Sequence, residues 1–385
     1  MGVTAAALLG YCGWWILRAD TQHGAPIGPD RLLADENAFR DPASMQALGL
    51  AALADRPTDG AAFRILGTSA ALRGSEELAL RLYRISVRRD PRDWKAHAFL
   101  MDDAFRRGRV EEGCGHLDAI LRVAPELSKP LLSALAAELG DEGLKQGLAD
   151  LVAQDPPWAP QWVTALRDPV VAPEDVVAFF EALSVRRSLL PSEHLALIEA
   201  LARAGRIGDA RAHWLETLSP RERSLADNVF DGGFEEEERI NGEFAWNLDA
   251  EPGIDVTFDR EASMSGRQSL RIDFNGRSVK LRTPSQRLAL SPGRYRVTVA
   301  FEDSTSISVP FAFMVGCLPG GELTRLDLSN GPERGIWMHV EGTFEVADGC
   351  TRQRLWLTTR SRSIADAQVS GVLRLDDVRV RKILP

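Results

Sequence analysis

Residues 60–91 read GAAFRILGTSAALRGSEELALRLYRISVRRDP, and residues 94–125 read WKAHAFLMDDAFRRGRVEEGCGHLDAILRVAP. Their first residues, Gly60 and Trp94, stand 34 apart, and in a common frame the two stretches agree position by position. Leu66 and Leu100 fall at position 7, Ala70 and Ala104 at 11, Ala79 and Gly113 at 20, Tyr83 and Leu117 at 24, Ser86 and Ile120 at 27, and Pro91 and Pro125 at 32. Apolar residues recur at helical spacing on both sides of a turn. Small residues, Gly67 at position 8 and Ala79 or Gly113 at position 20, allow two helices to approach, a large residue at 24 fills the gap, and proline ends the second helix. Each such pair leaves an apolar face that only a neighbouring pair can cover, so the reading is a stack of helix pairs.

These positions resemble the signature of the tetratricopeptide family. The resemblance implies an α-solenoid, and with it a surface that docks another protein. It is strongest over Gly60 to Leu127 and weaker elsewhere. Ser128 to Asp155 reads as a shortened pair ending in Asp155-Pro156-Pro157, and Glu174 to Arg187 as one amphipathic helix. Ser192 to Leu218 returns to the pattern with Gly205 in the turn, Ala210 at position 20 and Trp214 at position 24, while Pro42 to Ala54 supplies a first, capping helix. The helical region is therefore expected over residues 41–225.

From Val229 onward the period changes from helical to alternating. Strands are expected at Gln268–Phe274, Val279–Arg287, Arg294–Glu302, Val309–Cys317, Trp337–Val346, Arg352–Thr358 and Val372–Arg381. In the third of these, Tyr295, Val297, Val299 and Phe301 share one side and Arg294, Arg296, Thr298 and Glu302 the other, the pattern of a sheet with one buried face. Residues 226–385 thus read as an antiparallel β-sandwich. Four motifs, Asp231-Gly232-Gly233-Phe234-Glu235, Phe244-Ala245-Trp246, Leu290-Ser291-Pro292-Gly293-Arg294-Tyr295 and Leu375-Asp376-Asp377-Val378, are similar in order and spacing to the galactose-binding-like jelly rolls that include carbohydrate-binding modules.

That resemblance implies a structural Ca²⁺ held by Glu235 and Asp377, hard oxygen ligands from the first and last strands. The alternative is a solvated acidic turn running into Glu236, Glu237 and Glu238. It also directs attention to aromatic side chains that could stack on a sugar ring: Trp246, Trp337 and Trp356. Trp356 alternates with Leu355 and Leu357 and is exposed if the two leucines are buried. Trp246 and Trp337 flank strand starts and read as core or rim. Cys317 and Cys350 lie at strand edges of the sandwich, and outside the cytoplasm they would form a disulfide; the alternative is two buried thiols. Cys114 with His116 makes too small a ligand set for zinc and reads as helix packing.

Gly2 to Leu17 is uncharged and largely apolar, with Trp14 and Trp15 next to Arg18. The reading is a membrane anchor over residues 1–18 and a linker over 19–40, with a cleavable signal peptide as the rival. The soluble part is then expected in the periplasm of a bacterium, anchored in the inner membrane. A net charge of −9 over 385 residues, without a basic run, excludes a nucleic-acid-tracking surface. No nucleophile elbow, metalloprotease, Walker A or dinucleotide motif occurs, and the six histidines are scattered. The function expected is a non-enzymatic scaffold, similar in its combination of parts to proteins of bacterial exopolysaccharide assembly and export. Its alternatives are a carbohydrate-binding protein acting through the sandwich, or a glycan-directed enzyme with carboxylates brought from distant positions.

Overall fold

The computed structural model describes residues 41–236, 242–249, 251–279, 281, 283–306, 311–329, 335–359 and 368–383. The expected anchor, 1–18, and linker, 19–40, lie outside them. Among the described residues no helix is long and apolar enough to cross a membrane. The chain divides into two compact units, 1–196 and 197–385.

The first unit is helical: α1 (Pro42–Asp55), α2 (Gly60–Leu72), α3 (Glu76–Arg89), α4 (Trp94–Arg106), α5 (Val110–Val123), α6 (Ser128–Ala137), α7 (Glu142–Val152), α8 (Ala159–Leu166), α9 (Pro173–Arg186) and the start of α10 (Pro191–Arg203). Aspartates start four of these helices. Asp41, Asp59, Asp93 and Asp141 each accept a backbone N–H of the first turn, which satisfies donors that have no partner inside the helix. Gly74 and Gly108 end α2 and α4 with φ of 76° and 69°, where a Cβ would be strained.

The packing residues of the period are where close approach requires them. Ala79 is fully buried and Tyr83 nearly so. A Cβ on Gly67 would lie 3.0 Å from the Tyr83 ring, so glycine makes room for tyrosine between α2 and α3. The Tyr83 ring stacks on Phe99 of α4 at 4.0 Å and 17°, joining one helix pair to the next. Ser86 lies 2.8 Å from the Gly60 carbonyl and 3.0 Å from Asp93, and Arg64 binds the same carboxylate at 2.8 Å. This polar knot ties the end of one pair to the start of the following one. Leu100 and Leu117 are buried, whereas Pro91 and Pro125 are exposed at the breaks. Leu66 is half-buried and faces Gly49 of α1. Helix α8 is absent from the sequence reading; it is short and follows two prolines, and its Trp162 and Leu166 are fully buried.

The second unit holds the rest of α10, α11 (Ile207–Thr217), α12 (Pro220–Ser224) and, among the described residues, nine strands: β1 (Ile254–Asp259), β2 (Ser269–Ser278), β3 (Ser285–Leu288), β4 (Gly293–Asp303), β5 (Phe311–Cys317), β6 (Glu322–Leu328), β7 (Met338–Val346), β8 (Gln353–Thr359) and β9 (Gln368–Lys382). They form an antiparallel sandwich of jelly-roll type, one sheet ordered β1-β2-β9-β4-β7 and the other β3-β8-β5-β6. Val297, Phe301, Leu373 and Leu375 of the first sheet and Phe311, Phe313, Leu355 and Leu357 of the second share one buried core. Strand β3 starts at Ser285, later than the run from Val279 suggests, because Pro284 cannot donate to the ladder. Helices α11 and α12 fall within this second unit. Trp214 of α11 packs edge-on against Phe230 at 5.0 Å and lies 5.8 Å from Phe244. Sulfurs of Cys317, at the end of β5, and Cys350, in the turn before β8, are bonded.

Candidate functional site: the outer face of the four-stranded sheet

Alternation along β8 buries Leu355 and Leu357 completely and turns Arg354, Trp356 and Thr358 to the opposite face. The register carries that face across the sheet. Ser285 of β3, Trp356 of β8, Met314 of β5 and Arg325 of β6 form one row, and Arg287, Arg354 and Gly316 form the row beside it. Trp356 is half-buried rather than fully exposed, and the cause is local. A Cβ on Gly316 would lie 2.8 Å from the indole, so the missing side chain lets the ring lie down over β5.

Polar groups surround the ring. The Arg354 guanidinium is 6.0 Å from the Trp356 centroid and donates to the Ser285 hydroxyl at 2.9 Å. Arg325 donates to Asp327 at 2.9 Å and approaches the Met314 sulfur at 3.6 Å. Its Nη2 is buried and has no hydrogen-bond partner among the described residues. A buried donor without an acceptor costs free energy unless something outside supplies one. An aromatic face flanked by a few fixed donors and acceptors is the arrangement that a polar ligand with apolar C–H faces requires.

The other two tryptophans are placed elsewhere. Trp246 tilts against Phe234 at 5.1 Å, donates from its indole N–H to the Asp231 carbonyl at 3.0 Å, and packs against the core between the sheets. Trp337 is half-buried immediately before the edge strand β7. No shared aromatic surface links Trp246 to Trp356, since one side chain packs inward and the other lies on an outer face.

Glu235 and Asp377 converge on one loop. Glu235 accepts the Arg267 backbone N–H at 2.8 Å and pairs with its guanidinium at 3.2 Å, while Asp377 accepts the Ser265 hydroxyl at 2.9 Å and an Arg379 N–H at 2.6 Å. The neighbouring Asp376 is fully buried and takes backbone N–H groups of Met264, Ser265 and Asp377 at 2.8, 2.9 and 2.6 Å. Asp231 accepts the N–H groups of Glu235 and Glu236, yet burial pushes its carboxyl up to about 6. Asp231, Phe234 and Asp377 have φ of 46°, 55° and 48°, so three left-handed residues without glycine's freedom meet where the sandwich's ends are joined. The oxygen chemistry suits calcium. An incoming ion would have to displace both guanidinium partners, and among the described residues no three acidic, histidine or cysteine side chains group to hold a metal.

No family model and no curated protein matches the sequence. Solved structures do. The xylan-binding CBM22-1 domain of Paenibacillus barcinonensis Xyn10C is 17% identical, over 38% of this chain and 89% of that one, with a TM-score of 0.26. The C-terminal family 22 carbohydrate-binding module of Clostridium thermocellum Xyn10B is 13% identical over 34% and 82% of the two chains, with a TM-score of 0.24. A CBM61 module in complex with β-1,4-galactotriose is 16% identical over 41% and 100%, with a TM-score of 0.28. At those scores the likenesses carry nothing about ligand or activity over to this chain.

Proposed function

We propose that the sandwich is a carbohydrate-binding module whose ligand, a saccharide chain, lies across the outer face of β3, β8, β5 and β6 and stacks on Trp356. The observation that carries this reading is the row Ser285–Trp356–Met314–Arg325, which together with Arg354 sets an indole face among a hydroxyl and guanidinium groups on one outer face. In this reading sugar C–H groups cover the indole and a sugar hydroxyl accepts from the half-buried Arg354 guanidinium beside it. The test is titration of the full chain with a panel of oligosaccharides. Binding that disappears in Trp356→Ala while the unfolding midpoint stays within a few degrees supports the reading. Undiminished binding in that variant, or none by the wild type across the panel, removes it.

The helical unit is proposed to act beside it as a tetratricopeptide-like array that docks a protein, in a non-enzymatic accessory of cell-envelope polysaccharide assembly. The Tyr83–Phe99 stack, which joins one helix pair to the next, favours such stacking. Anchoring through residues 1–18, with both units outside the cytoplasm, belongs to the same proposal, and the Cys317–Cys350 bridge supports an oxidising compartment. Capture of a partner by the helical unit and fractionation of the intact chain with membranes are the corresponding tests.

Calcium at the junction of residues 231–236, 264–267 and 376–377 is likewise proposed, with Glu235 and Asp377 supplying side-chain oxygens. A melting temperature raised by millimolar calcium in the wild type but not in Glu235→Gln supports it; no response in the wild type removes it.

A further inference from the structure

The outer face of the five-stranded sheet carries two populations of arginine. At one end of the sheet each is neutralised: Arg374 is held by Asp259 at 2.8 Å and by Glu302 at 3.0 Å, and Arg271 by Asp273 at 2.7 Å. At the other end compensation is only partial. The β4–β9 register places Arg296 directly opposite Arg381 and Thr298 opposite Arg379. Like charges facing each other across a ladder repel. Among the described residues the Arg296 side chain has only Glu341, at 3.8 Å and with both side chains more than half exposed, and the exposed Arg381 side chain makes no hydrogen bond or ion pair. Arg379 shares Asp377 with the Ser265 hydroxyl.

These three guanidinium groups line an open cleft of about 690 Å³, together with Lys382, Glu341 and Asp377. Its lining therefore carries a positive excess on a chain whose net charge is −9. Electrostatics alone would have dispersed these charges or matched them with acids, as the far end of the same face does.

We propose that this cleft is a second glycan-binding surface, for saccharide chains bearing carboxylates. Arg379 and Arg381 stand two residues apart on β9, which spaces them about 6.6 Å along the strand, with Arg296 about 5 Å across the ladder. A line of planar guanidinium forks suits repeated carboxylates, which each accept two parallel N–H bonds. Occupancy by a polyanion converts the Arg296–Arg381 repulsion into shared attraction. The saccharide part of the inference rests on the reading of the sandwich as a carbohydrate-binding module; the charge part rests on this face alone.

The experiment is calorimetric titration of the full chain with oligogalacturonate, with neutral xylo-oligosaccharide and with single-stranded DNA, each at about 20 and about 150 mM salt, across which surface electrostatics are progressively screened. Expected is oligogalacturonate binding that weakens with salt, falls at least tenfold in Arg296→Ser/Arg381→Ser, falls less in Arg381→Lys, which keeps the charge but loses the fork, and is unchanged in Trp356→Ala. Circular dichroism checks that the double variant is folded; because its two sites are exposed and repel each other, its melting temperature should equal or exceed that of the wild type. Undiminished binding in the folded double variant, absence of binding at low salt, or DNA bound as tightly as oligogalacturonate would each overturn the proposal. Loss of neutral-sugar binding in Trp356→Ala with oligogalacturonate binding intact separates the two faces. Loss of both in that variant assigns all binding to the Trp356 face and overturns this proposal alone.

Discussion

At the scale of single residues, the two glycines of α5 show how neighbours decide a substitution's sign. Gly113 is buried, and a Cβ there would lie 2.6 Å from the Phe105 ring, whereas nothing stands within 4 Å of a Cβ at Gly115. Alanine at 113 forces a packed ring to move, which costs about 1–3 kcal/mol. Alanine at 115 meets open space and gains up to about 1 kcal/mol from helix propensity. Urea unfolding of the two single variants is therefore expected to move in opposite directions. A pair of equal shifts would remove the packing account of the period's position 20. Close by, His97 and His116 approach Nδ1 to Nδ1 at 2.8 Å, so one ring donates and the other accepts, and both cannot be protonated at once. Burial, then the neighbouring His97, lowers His116 to about 4, and burial lowers His97 as well. Glu112 on α5 and Asp90 and Asp93 before α4 act against the shift, while Arg84 and Arg109 reinforce it at His116. Unfolded histidine binds its proton near pH 6.5, so between about 6.5 and 4 the unfolded chain binds more protons than the folded one. The pair's contribution is present above 6.5 and lost as pH falls through the folded value. Unfolding midpoints at pH 7.5, 5.5 and 4.5 should fall more steeply in the wild type than in His116→Gln, and parallel slopes would contradict the coupling.

Strands and helices raise a different question, namely which of them can be read from pattern. The strands found in the sequence are those with a clean inward face, such as β4 with Tyr295, Val297, Val299 and Phe301. The two strands missed, β1 and β6, are both sheet edges. In β1 only Ile254 and Asp259 are buried although Ile254, Val256 and Phe258 alternate with polar residues, whereas in β6 the polar Thr324 and Arg325 interrupt the leucines and only Leu326 and Leu328 are buried. The site was legible to the same degree. Opposite burial of Leu355 and Trp356 follows from a period of two, but the role of Arg325 does not, because it lies on one of the missed edges and meets Trp356 only through the register of three strands. The same edge strand bears on the disulfide. Cys317 and Cys350 are 33 apart in sequence, and the loop they close contains β6, which among the described residues pairs within its sheet with β5 alone. Closing a loop of that length stabilises the folded chain by about 3–4 kcal/mol in the chain-entropy treatment. Reduction, or Cys350→Ser, is expected to lower stability by that order. Amide exchange should rise more in β6 than in β3, which lies outside the loop. Uniform acceleration over both sheets would show that the bridge holds no strand in particular.

For the whole molecule, the place where the sequence changes period and the place where the two compact units divide are not the same residue, and what α11 contributes to the sandwich can be tested. Helical periodicity runs on to Leu218, yet the second compact unit begins at 197. Periodicity records which residues of a helix are apolar; it does not record what covers them. In α11 the covering groups come from the sandwich side of the chain: Phe230 and Phe244 take Trp214 between them, and the Arg211 guanidinium reaches the Asp227 carbonyl. Asn228 then fixes the following segment to β9 by donating to the Val380 carbonyl at 2.9 Å. A fragment starting at 226 would keep every strand and all of the core between the sheets but would uncover both phenylalanines. One starting at Pro191, so that α10 is whole, would keep them covered. Losing a buried tryptophan from such a contact costs about 3–5 kcal/mol, so the longer fragment is expected to unfold at clearly higher urea than the shorter. Trp214→Ala in the full chain should destabilise the sandwich by a similar amount, followed through signals of the β-sheets. Equal midpoints for the two fragments, together with a silent Trp214→Ala, would make α11 a connector and return the boundary to the point where the sequence changes period.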